Sequence, residues 1–320
     1  MDEFALIDAF IEAFEVEAPA ELVLGPGDDC ALLEVGEGEE LCVSVDSLVA
    51  DTHFPAKAPA ALVGYRALAV SLSDLAAMGA KPLAFLVGLS AQDIDEDWIG
   101  ELARGMTRLA SPLGVSVAGG NLARGPLNLT VTVLGSVPRS RALRRSGARP
   151  GDQVFVSGCL GEARLGLQRA RDYRDSDLDA LLGAAQGTSL HLLRRYFLPA
   201  PRLELGRRLR GLATAAIDLS DGILADLRHI CRASKVGARL ELARLPLGPG
   251  VGLEAASAGD DYELCFTAPA QRAPDLVALS SALGIDITLV GAVVEGAAIT
   301  CLNADGECVD VEQAGFRHFR

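Results

Sequence analysis

The sequence predicts a two-domain protein of the α/β (α+β) class. Its 320 residues suit two domains of ordinary size. Half of the residues are hydrophobic and 22% are charged, which provides enough apolar side chains for two buried cores. Helical and strand-like patterns of apolar residues alternate through both halves, and an arginine-rich stretch separates the halves.

In the first half, apolar periodicity predicts helices over 4–14, 59–78 and about 95–110, and strands over 41–47, 115–118 and 127–137. Pro59 fits the first turn of the long helix and Gly79 fits its end, so Asp74 lies near the C-terminus of that helix. We expect Gly119-Gly120-Asn121 to help join the last two of these strands rather than to lie within one.

The strand over 41–47 alternates with a period of two. Leu41, Val43 and Val45 point to one face of it. Ser44 and Asp46 point to the other, so two oxygen-bearing side chains leave the same face of this strand together.

Five arginines crowd into residues 138–150, which marks the domain boundary. We therefore predict an N-terminal domain over 1–137, a linker over 138–150 and a C-terminal domain over 151–320. The second half is predicted to contain helices over about 161–171, 178–196, 201–211 and 221–234, and strands over 153–157, 214–219, 238–242, 262–267 and 285–294.

The composition argues against several classes of partner. The 29 basic and 43 acidic residues give a formal net charge of −14, which repels nucleic acid and acidic membranes. The longest stretch without a charged residue, 109–123, is broken by Gly and Pro and is too short for a membrane span. Acidic residues follow Met1 directly, and the seven cysteines form no C-x-x-C pair. We therefore expect a cytoplasmic protein with reduced thiols.

Aspartates in predicted turns are the remaining candidates for chemistry, since the sequence has no Walker loop, dinucleotide fingerprint, protein-kinase motif set or nucleophile elbow. They occur at Asp28-Asp29, Asp46, Asp74, Asp218-Leu-Ser-Asp221 and Asp260-Asp261. Any one pair is compatible with an ordinary solvated turn, and Ser220 or Asp221 could simply cap the next helix. Five such sites in one chain favour Mg²⁺ or Mn²⁺ as a counter-charge.

The order of these motifs is specific. The motifs are Gly27-Asp-Asp-Cys-Ala31, Asp46-Ser-Leu-Val, His53-Phe54, the helix of Ala67–Ala80, Gly119-Gly-Asn121, Arg145-Ser-Gly-Ala148, Gly151-Asp152, Ile217-Asp-Leu-Ser-Asp-Gly222 and Asp260-Asp-Tyr-Glu-Leu264. Together they resemble the thiamine-monophosphate kinase family, a member of the superfamily of aminoimidazole ribonucleotide synthetase and selenophosphate synthetase. The resemblance covers essentially the whole chain.

This resemblance implies an aminoimidazole ribonucleotide synthetase-like fold: an N-terminal α/β domain that binds metal and ATP and whose sheet pairs in a homodimer, and a C-terminal α/β domain that completes the cleft. It implies ATP-dependent phosphorylation of thiamine monophosphate to thiamine diphosphate, with several Mg²⁺ ions and no general base. The implied metal ligands are Asp29, Ser44, Val45 through its backbone, Asp46, Asp74, Asn121, Asp218 and Asp221. The implied ATP contacts are Gly120, Asn121, Arg145 and Ser220, and the implied substrate contacts are His53, Asp260 and Phe316.

Two departures from the family pattern leave alternatives open. The family typically has Gly-Gly-Asp-Thr where this chain has Gly119-Gly120-Asn121-Leu122, and Asn121 offers a carbonyl oxygen without a charge. The shorter side chain of Asp260, in place of a typical Glu, could leave its substrate contact to water. The alternatives are another ATP-using enzyme of the superfamily, for which Cys30 would be the nucleophile in selenide activation, and a weakly active nucleotide- or thiamine-phosphate-binding homologue.

Overall fold

Two large β-sheets form the framework of the chain, one in each of two units. In this computed structural model the described residues are 3–14, 17–26, 30–256 and 259–311. The first unit comprises Met1–Leu75, Lys81–Ser140 and Gly166–Ala200, and the second comprises Ala76–Ala80, Arg141–Leu165 and Pro201–Arg320. The segment Gly166–Ala200 thus groups with the first unit, whereas the sequence prediction placed it in the second domain.

Helices and strands alternate along the chain. The helices are α1 (Glu3–Glu12), α2 (Ala60–Ala77), α3 (Glu96–Leu113), α4 (Glu162–Ala170), α5 (Leu178–Leu182), α6 (Ser189–Phe197), α7 (Leu203–Leu209), α8 (Ile223–Ser234), α9 (Leu253–Ala256) and α10 (Ala273–Leu283). The strands are β1 (Leu22–Leu24), β2 (Leu32–Leu33), β3 (Glu39–Val49), β4 (Lys81–Ala91), β5 (Ser116–Arg124), β6 (Asn128–Pro138), β7 (Asp152–Ser157), β8 (Ala215–Asp218), β9 (Gly237–Glu241), β10 (Leu264–Pro269), β11 (Ile287–Val294), β12 (Ile299–Leu302) and β13 (Cys308–Val309).

A four-stranded sheet with the order β3-β6-β4-β5 organises the first unit. β3 lies at one edge and pairs antiparallel with β6 along its whole length, from Glu39 opposite Pro138 to Val49 opposite Asn128. β4 pairs antiparallel with β6 and parallel with β5. The sequence prediction missed β4 because its apolar run is nearly continuous, a pattern that buried strands share with buried helices.

α2 is a core helix that begins and ends where its sequence predicts. Pro59 precedes it and accepts the first hydrogen bonds through its carbonyl oxygen, and Gly79 ends it with φ +67°. Four of its leucines, Leu62, Leu68, Leu72 and Leu75, are fully buried. By length and composition α2 would suffice to cross a membrane, yet nearly all of it lies buried inside the fold; no other helix of the described ranges passes that test.

A seven-stranded sheet with the order β13-β12-β9-β11-β7-β10-β8 organises the second unit. Its pairs are antiparallel except for the parallel pair of β12 and β9. The apolar face of α8, which includes Ile223, Leu227 and Ile230, packs with Val154 and Ile217 in one buried cluster. This packing fixes the end of β8 and the start of α8, where two of the predicted ligands lie.

Two predictions about local structure were wrong. The helix expected over 178–196 is two helices, because α5 ends at Gly183 and α6 begins after Thr188, whose hydroxyl accepts a hydrogen bond from the backbone N–H of His191. Gly119, Gly120 and Asn121 lie within β5 rather than in a turn, with Gly120 opposite Val87 on β4. The parallel partner strand supplies hydrogen bonds that outweigh the local preference of glycine for turns.

Candidate active site

In the first unit, β3 and α2 bring three predicted ligands together. The hydroxyl of Ser44 donates a hydrogen bond to the carboxylate of Asp74, 30 residues later in the chain. Burial, and then the charge of Asp74, raise the pKa of Asp46 to about 6. The period of two in β3 places Ser44 and Asp46 on one face, as the sequence predicted, and the structure turns that face toward Asp74 of α2. Val45 points the other way and is 58% exposed, so only its backbone faces this site.

In the second unit, Asp218 ends β8 and Asp221 precedes the start of α8. The side chain of Asp218 is buried, and that of Asp221 is partly buried. Between these carboxylates and the helix stands Gly222, at φ +111°. The β8–α8 turn therefore places two predicted ligands three residues apart at the end of a buried strand.

Asp226, in the first turn of α8, supports this turn and was not singled out by sequence reasoning. Its Oδ2 accepts hydrogen bonds from the backbone N–H groups of Asp221 at 3.1 Å and Gly222 at 3.0 Å. Burial, and then the charges of Asp218 and Asp221, raise the pKa of Asp226 to about 8. The signal that could have identified it is an acid in the first turn of a helix that follows an Asp-Gly turn.

A loop with left-handed backbone carries the predicted substrate contact Asp260. Gly259, Asp260 and Tyr262 have φ values of +78°, +72° and +51°. The backbone N–H of Asp260 donates to the carbonyl of Ser220 at 2.8 Å, and that of Tyr262 donates to the carbonyl of Leu219 at 2.9 Å. These bonds tie the Asp260 loop directly to the β8–α8 turn.

Gly259 is required at this crossing because a Cβ there would lie 2.2 Å from the carbonyl oxygen of Ser220. The contact is with backbone atoms, which cannot swing away as a flexible side chain could. The Asp260 loop can approach the β8–α8 turn this closely because Gly259 has no side chain.

Two buried acids after Asp260 anchor the same loop. The sequence analysis offered Asp261 only as one of the turn aspartates that could meet a cation, and it assigned Glu263 no role. The carboxylate of Asp261 accepts from the backbone N–H of Gly161 at 2.9 and 3.0 Å. Glu263 accepts from Nε and Nη2 of Arg202, each at 2.6 Å, and from the hydroxyl of Ser157 at 2.7 Å. Their structural role depends on partners far away in sequence, which no local pattern reveals.

The predicted nucleotide contacts lie on separate elements. Gly120 and Asn121 are exposed on β5. Gly120 lies so close to β4 that a Cβ on it would meet the carbonyl oxygen of Val87 at 2.3 Å. Arg145 is exposed in the second unit, and its backbone carbonyl accepts from the hydroxyl of Ser234 at 3.1 Å. Ser220 is also exposed and lies between Asp218 and Asp221.

His53 follows β3 and is held on two sides. Its Nδ1 accepts from the backbone N–H of Val49 at 2.9 Å, which leaves Nε2 as the nitrogen that carries the hydrogen in a neutral ring. Its backbone carbonyl accepts from the hydroxyl of Tyr196 at 2.9 Å and from Nε of Arg66 at 3.3 Å. The hydrogen bond from Val49 therefore holds the ring of this predicted substrate contact, and the bonds from Tyr196 and Arg66 hold its backbone.

The structure thus places Ser44, Asp46 and Asp74 together in one unit, and Asp218, Ser220, Asp221 and Asp260 together in the other. Two predicted site residues, Asp29 and Phe316, lie outside the described residues.

The residues of both sets fit a hard divalent cation in their chemistry. Carboxylate and hydroxyl oxygens are the donors that Mg²⁺ prefers. Asp74 lies close to Asp46, and Asp218 and Asp221 lie close to Asp226, so carboxylates come together in each unit and a cation would relieve their repulsion. Within the described ranges no group of three His, Cys, Asp or Glu side chains could hold a metal ion on its own.

Models of one protein family match both halves of this chain. The AIR synthase related protein N-terminal domain matches residues 27–137, and the C-terminal domain of the same group matches residues 149–301. Thiamine-monophosphate kinase of Escherichia coli (strain K12) is 38% identical over 99% of this chain and 98% of its own length. That of Caulobacter vibrioides is 33% identical over 91% of this chain and 84% of its own length.

Solved structures also resemble this chain over nearly its whole length. The crystal structure of thiamine-monophosphate kinase from Stenotrophomonas maltophilia K279a is 39% identical, with a TM-score of 0.83 over 97% of this chain and 98% of that one. The structure described as AaThiL complexed with AMPPCP and TMP is 29% identical, with a TM-score of 0.75 over 99% and 97%. E. coli HypE, a hydrogenase maturation protein, is only 21% identical at a TM-score of 0.76, so that similarity concerns the fold alone.

Proposed function

The chain belongs to the thiamine-monophosphate kinase family within the AIR synthase related proteins, and from this premise we propose that it transfers the γ-phosphoryl group of ATP to thiamine monophosphate. The product is thiamine diphosphate, so the reaction is the last step of thiamine diphosphate biosynthesis. The observation that carries the proposal is the 38% identity to a thiamine-monophosphate kinase over 99% of the chain. A relative solved with AMPPCP and TMP supports the same pair of substrates.

The acceptor explains why no general base is needed. A phosphate monoester has a second pKa of about 6 and carries close to two negative charges at neutral pH. Its oxygen can therefore attack the γ-phosphorus without losing a proton to a side chain. The difficulty is electrostatic, since two doubly charged groups about 5 Å apart repel by roughly a dozen kcal/mol at an effective dielectric constant near 20.

The two sets of aspartates address this repulsion. Asp29, Ser44, Asp46 and Asp74 from the first unit, and Asp218 and Asp221 from the second, would hold Mg²⁺, with the Val45 carbonyl and Asn121 as further oxygen donors. Bound Mg²⁺ would neutralise phosphate charge and hold the attacking and leaving oxygens in line. Acidic residues thus allow a protein of net charge −14 to accept two anionic substrates.

The remaining predicted residues would position the substrates. Gly120, Asn121, Arg145 and Ser220 would contact ATP, with the guanidinium of Arg145 as a forked donor to a phosphate. His53, Asp260 and Phe316 would contact thiamine monophosphate. An aromatic ring such as that of Phe316 suits the cationic thiazolium ring.

The exposed face of β3 supports a homodimer. Leu41, Val43 and Val45 are 48%, 58% and 58% exposed and lie on one face of an edge strand. A row of exposed apolar side chains at a sheet edge is typical of an interaction surface. We infer that a second copy of the chain covers this face, and that the dimer is cytoplasmic, as the composition favours.

The product of the reaction tests the proposal. Purified protein is incubated with ATP, thiamine monophosphate and Mg²⁺, and the products are separated by chromatography and identified by mass spectrometry. We expect thiamine diphosphate and ADP in equal amounts, and an Asp46→Asn, Asp74→Asn double variant serves as the inactive control. ATP turnover without thiamine diphosphate would favour another reaction of the superfamily. Binding of thiamine monophosphate without turnover would favour a binding protein.

A further inference from the structure

We propose that Asp226 is a positioning residue that holds the β8–α8 turn in the shape needed to bind a divalent cation. The inference rests on the proposed function, which assigns Asp218 and Asp221 to that cation. Asp226 would not touch the metal or a substrate; it would act through the backbone of Asp221 and Gly222.

The hydrogen bonds of Asp226 are directed at the turn itself. One carboxylate oxygen, Oδ2, accepts both the N–H of Asp221 at 3.1 Å and the N–H of Gly222 at 3.0 Å. Both donors lie at the start of α8, where backbone N–H groups have no partner within the helix. Because one of them belongs to Asp221, any shift of the Asp226 carboxylate shifts the main chain of a predicted ligand.

The turn needs an external support. Gly222 adopts φ +111°, and no side chain caps α8 from the Gly222 position. A glycine has the widest choice of backbone conformations, so without a support this turn would sample several of them. Asp226 is only 2% exposed and is fixed by packing in the first turn of a helix whose apolar face is buried. Through its two hydrogen bonds Asp226 therefore holds the turn in a fixed position relative to α8.

Both hydrogen bonds end on the same carboxylate oxygen, and the side chain that carries it is 2% exposed. A buried acceptor holds its donors without competition from water. The two bonds therefore fix the backbone of Asp221 and Gly222 relative to α8.

An ordinary helix cap elsewhere in the chain provides a matched control. Asp95 accepts from the backbone N–H of Trp98 at 2.9 Å and caps α3. It supports no predicted ligand. Asp95→Ala should therefore reproduce the loss of a cap without affecting a metal site.

The experiment measures Mn²⁺ binding to the substrate-free protein by calorimetry, the Mg²⁺ concentration for half-maximal rate, and the unfolding temperature, for the wild type, Asp226→Ala, Asp226→Asn and Asp95→Ala. We expect Asp226→Ala to weaken Mn²⁺ binding and to raise the Mg²⁺ requirement by about 10-fold or more, as losing a partner that orients a metal ligand does. Asp226→Asn keeps an acceptor oxygen and should restore most of the affinity. Asp95→Ala should lower the unfolding temperature but leave both metal measurements unchanged.

Several outcomes would overturn the inference. If Asp226→Ala and Asp95→Ala both lower the unfolding temperature and neither changes metal binding, Asp226 is only a cap. If Asp226→Ala does not fold, Asp226→Glu replaces it, since the longer side chain displaces the oxygen; wild-type metal binding in that variant would contradict the inference. Failure of the proposed function would be seen separately, as a wild type that makes no thiamine diphosphate, whereas calorimetry with Mn²⁺ needs no turnover.

Discussion

Arg202 donates two hydrogen bonds of 2.6 Å to the carboxylate of Glu263, whose side chain is only 1% exposed. Glu263 also accepts from Ser157, and its backbone carbonyl accepts from the N–H of Leu219 at 2.8 Å. The pair therefore fixes the strand end that follows the Asp260 loop and the strand end that leads into the β8–α8 turn. A buried ion pair with two hydrogen bonds can define such a junction because breaking a buried pair is strongly destabilising.

Removal of Arg202 should be costly for folding. Arg202→Ala removes two short hydrogen bonds and a positive charge from the buried Glu263 carboxylate, and we expect a loss of about 3–5 kcal/mol in the free energy of unfolding. Arg272 forms an exposed ion pair with Asp275, and Arg272→Ala should cost about 0–1 kcal/mol. Urea denaturation measures both. Equal effects of the two substitutions would show that burial of the Glu263 pair has no energetic consequence.

Gly259 should be far less tolerant of a side chain than Gly250. Both have left-handed φ, +78° and +75°, so both alanine variants carry a backbone cost of about 1–2 kcal/mol. Only at Gly259 does the new Cβ meet backbone atoms, 2.2 Å from the Ser220 oxygen, whereas nothing lies within 4 Å at Gly250. We expect Gly259→Ala to lose more stability and to raise KM for thiamine monophosphate, because Asp260 moves. An unchanged KM would argue against Asp260 as a substrate contact.

Asp46 should make the stability of the metal-free protein depend on pH. Its pKa rises from 3.8 to about 6 on folding, so its contribution to stability is complete below about pH 3.8 and is lost as the pH rises through 6. Between about pH 4.5 and 7.5 this loss amounts to about 2 kcal/mol. The Asp46→Asn variant should not show this loss. Urea unfolding in the presence of a chelator measures the free energy of unfolding of both proteins across this pH range. The same pH dependence in both proteins would show that the Asp46 carboxyl is not perturbed.

The apolar face of β3 predicts the oligomeric state. The wild type should have twice the mass of one chain by light scattering, and Val43→Glu should be monomeric because a charge would be buried in the interface. Val277 on α10 is 67% exposed, so Val277→Glu is the matched control and should stay dimeric. A monomeric wild type, or a dimeric Val43→Glu variant, would place the interface elsewhere.

Asn121 tests whether the departure from the family pattern weakens one metal site. Asn121→Asp adds a charged oxygen ligand at an exposed position of β5, and we expect a lower Mg²⁺ concentration for half-maximal rate. Gln271→Glu adds the same charge at an exposed position of the second unit and should have no effect. If neither substitution changes the Mg²⁺ requirement, residue 121 does not hold metal in this chain.

Part of the first-unit site could be predicted from sequence because it depends on short-range periodicity. A period of two directs Ser44 and Asp46 to one face, and helical periodicity places Asp74 near the end of α2. The hydrogen bond between Ser44 and Asp74 joins residues 30 positions apart and is seen only in the structure. The order of the motifs predicted the fold family, and the resemblance to that family implied that Asp218 and Asp221 are metal ligands.

The rest depends on contacts between residues far apart in the chain. Nothing local in Glu263 indicates Arg202, 61 residues earlier, and the strand conformation of Gly119–Asn121 depends on pairing with β4. Asp226 does carry a local signal, since it is an acid in the first turn of a helix that follows an Asp-Gly turn, but its two backbone donors are seen only in the structure. Tertiary contacts determine the other two features, and a single sequence does not encode them as a pattern.

A crystal structure with AMPPCP, Mg²⁺ and thiamine monophosphate would test the central claim most directly. The account predicts Mg²⁺ bound by Asp46 and Asp74 from the first unit and by Asp218 from the second, with the terminal phosphate of the nucleotide facing the phosphate of the substrate. Phosphates bound without metal, or bound to a surface that none of these three carboxylates reaches, would contradict it.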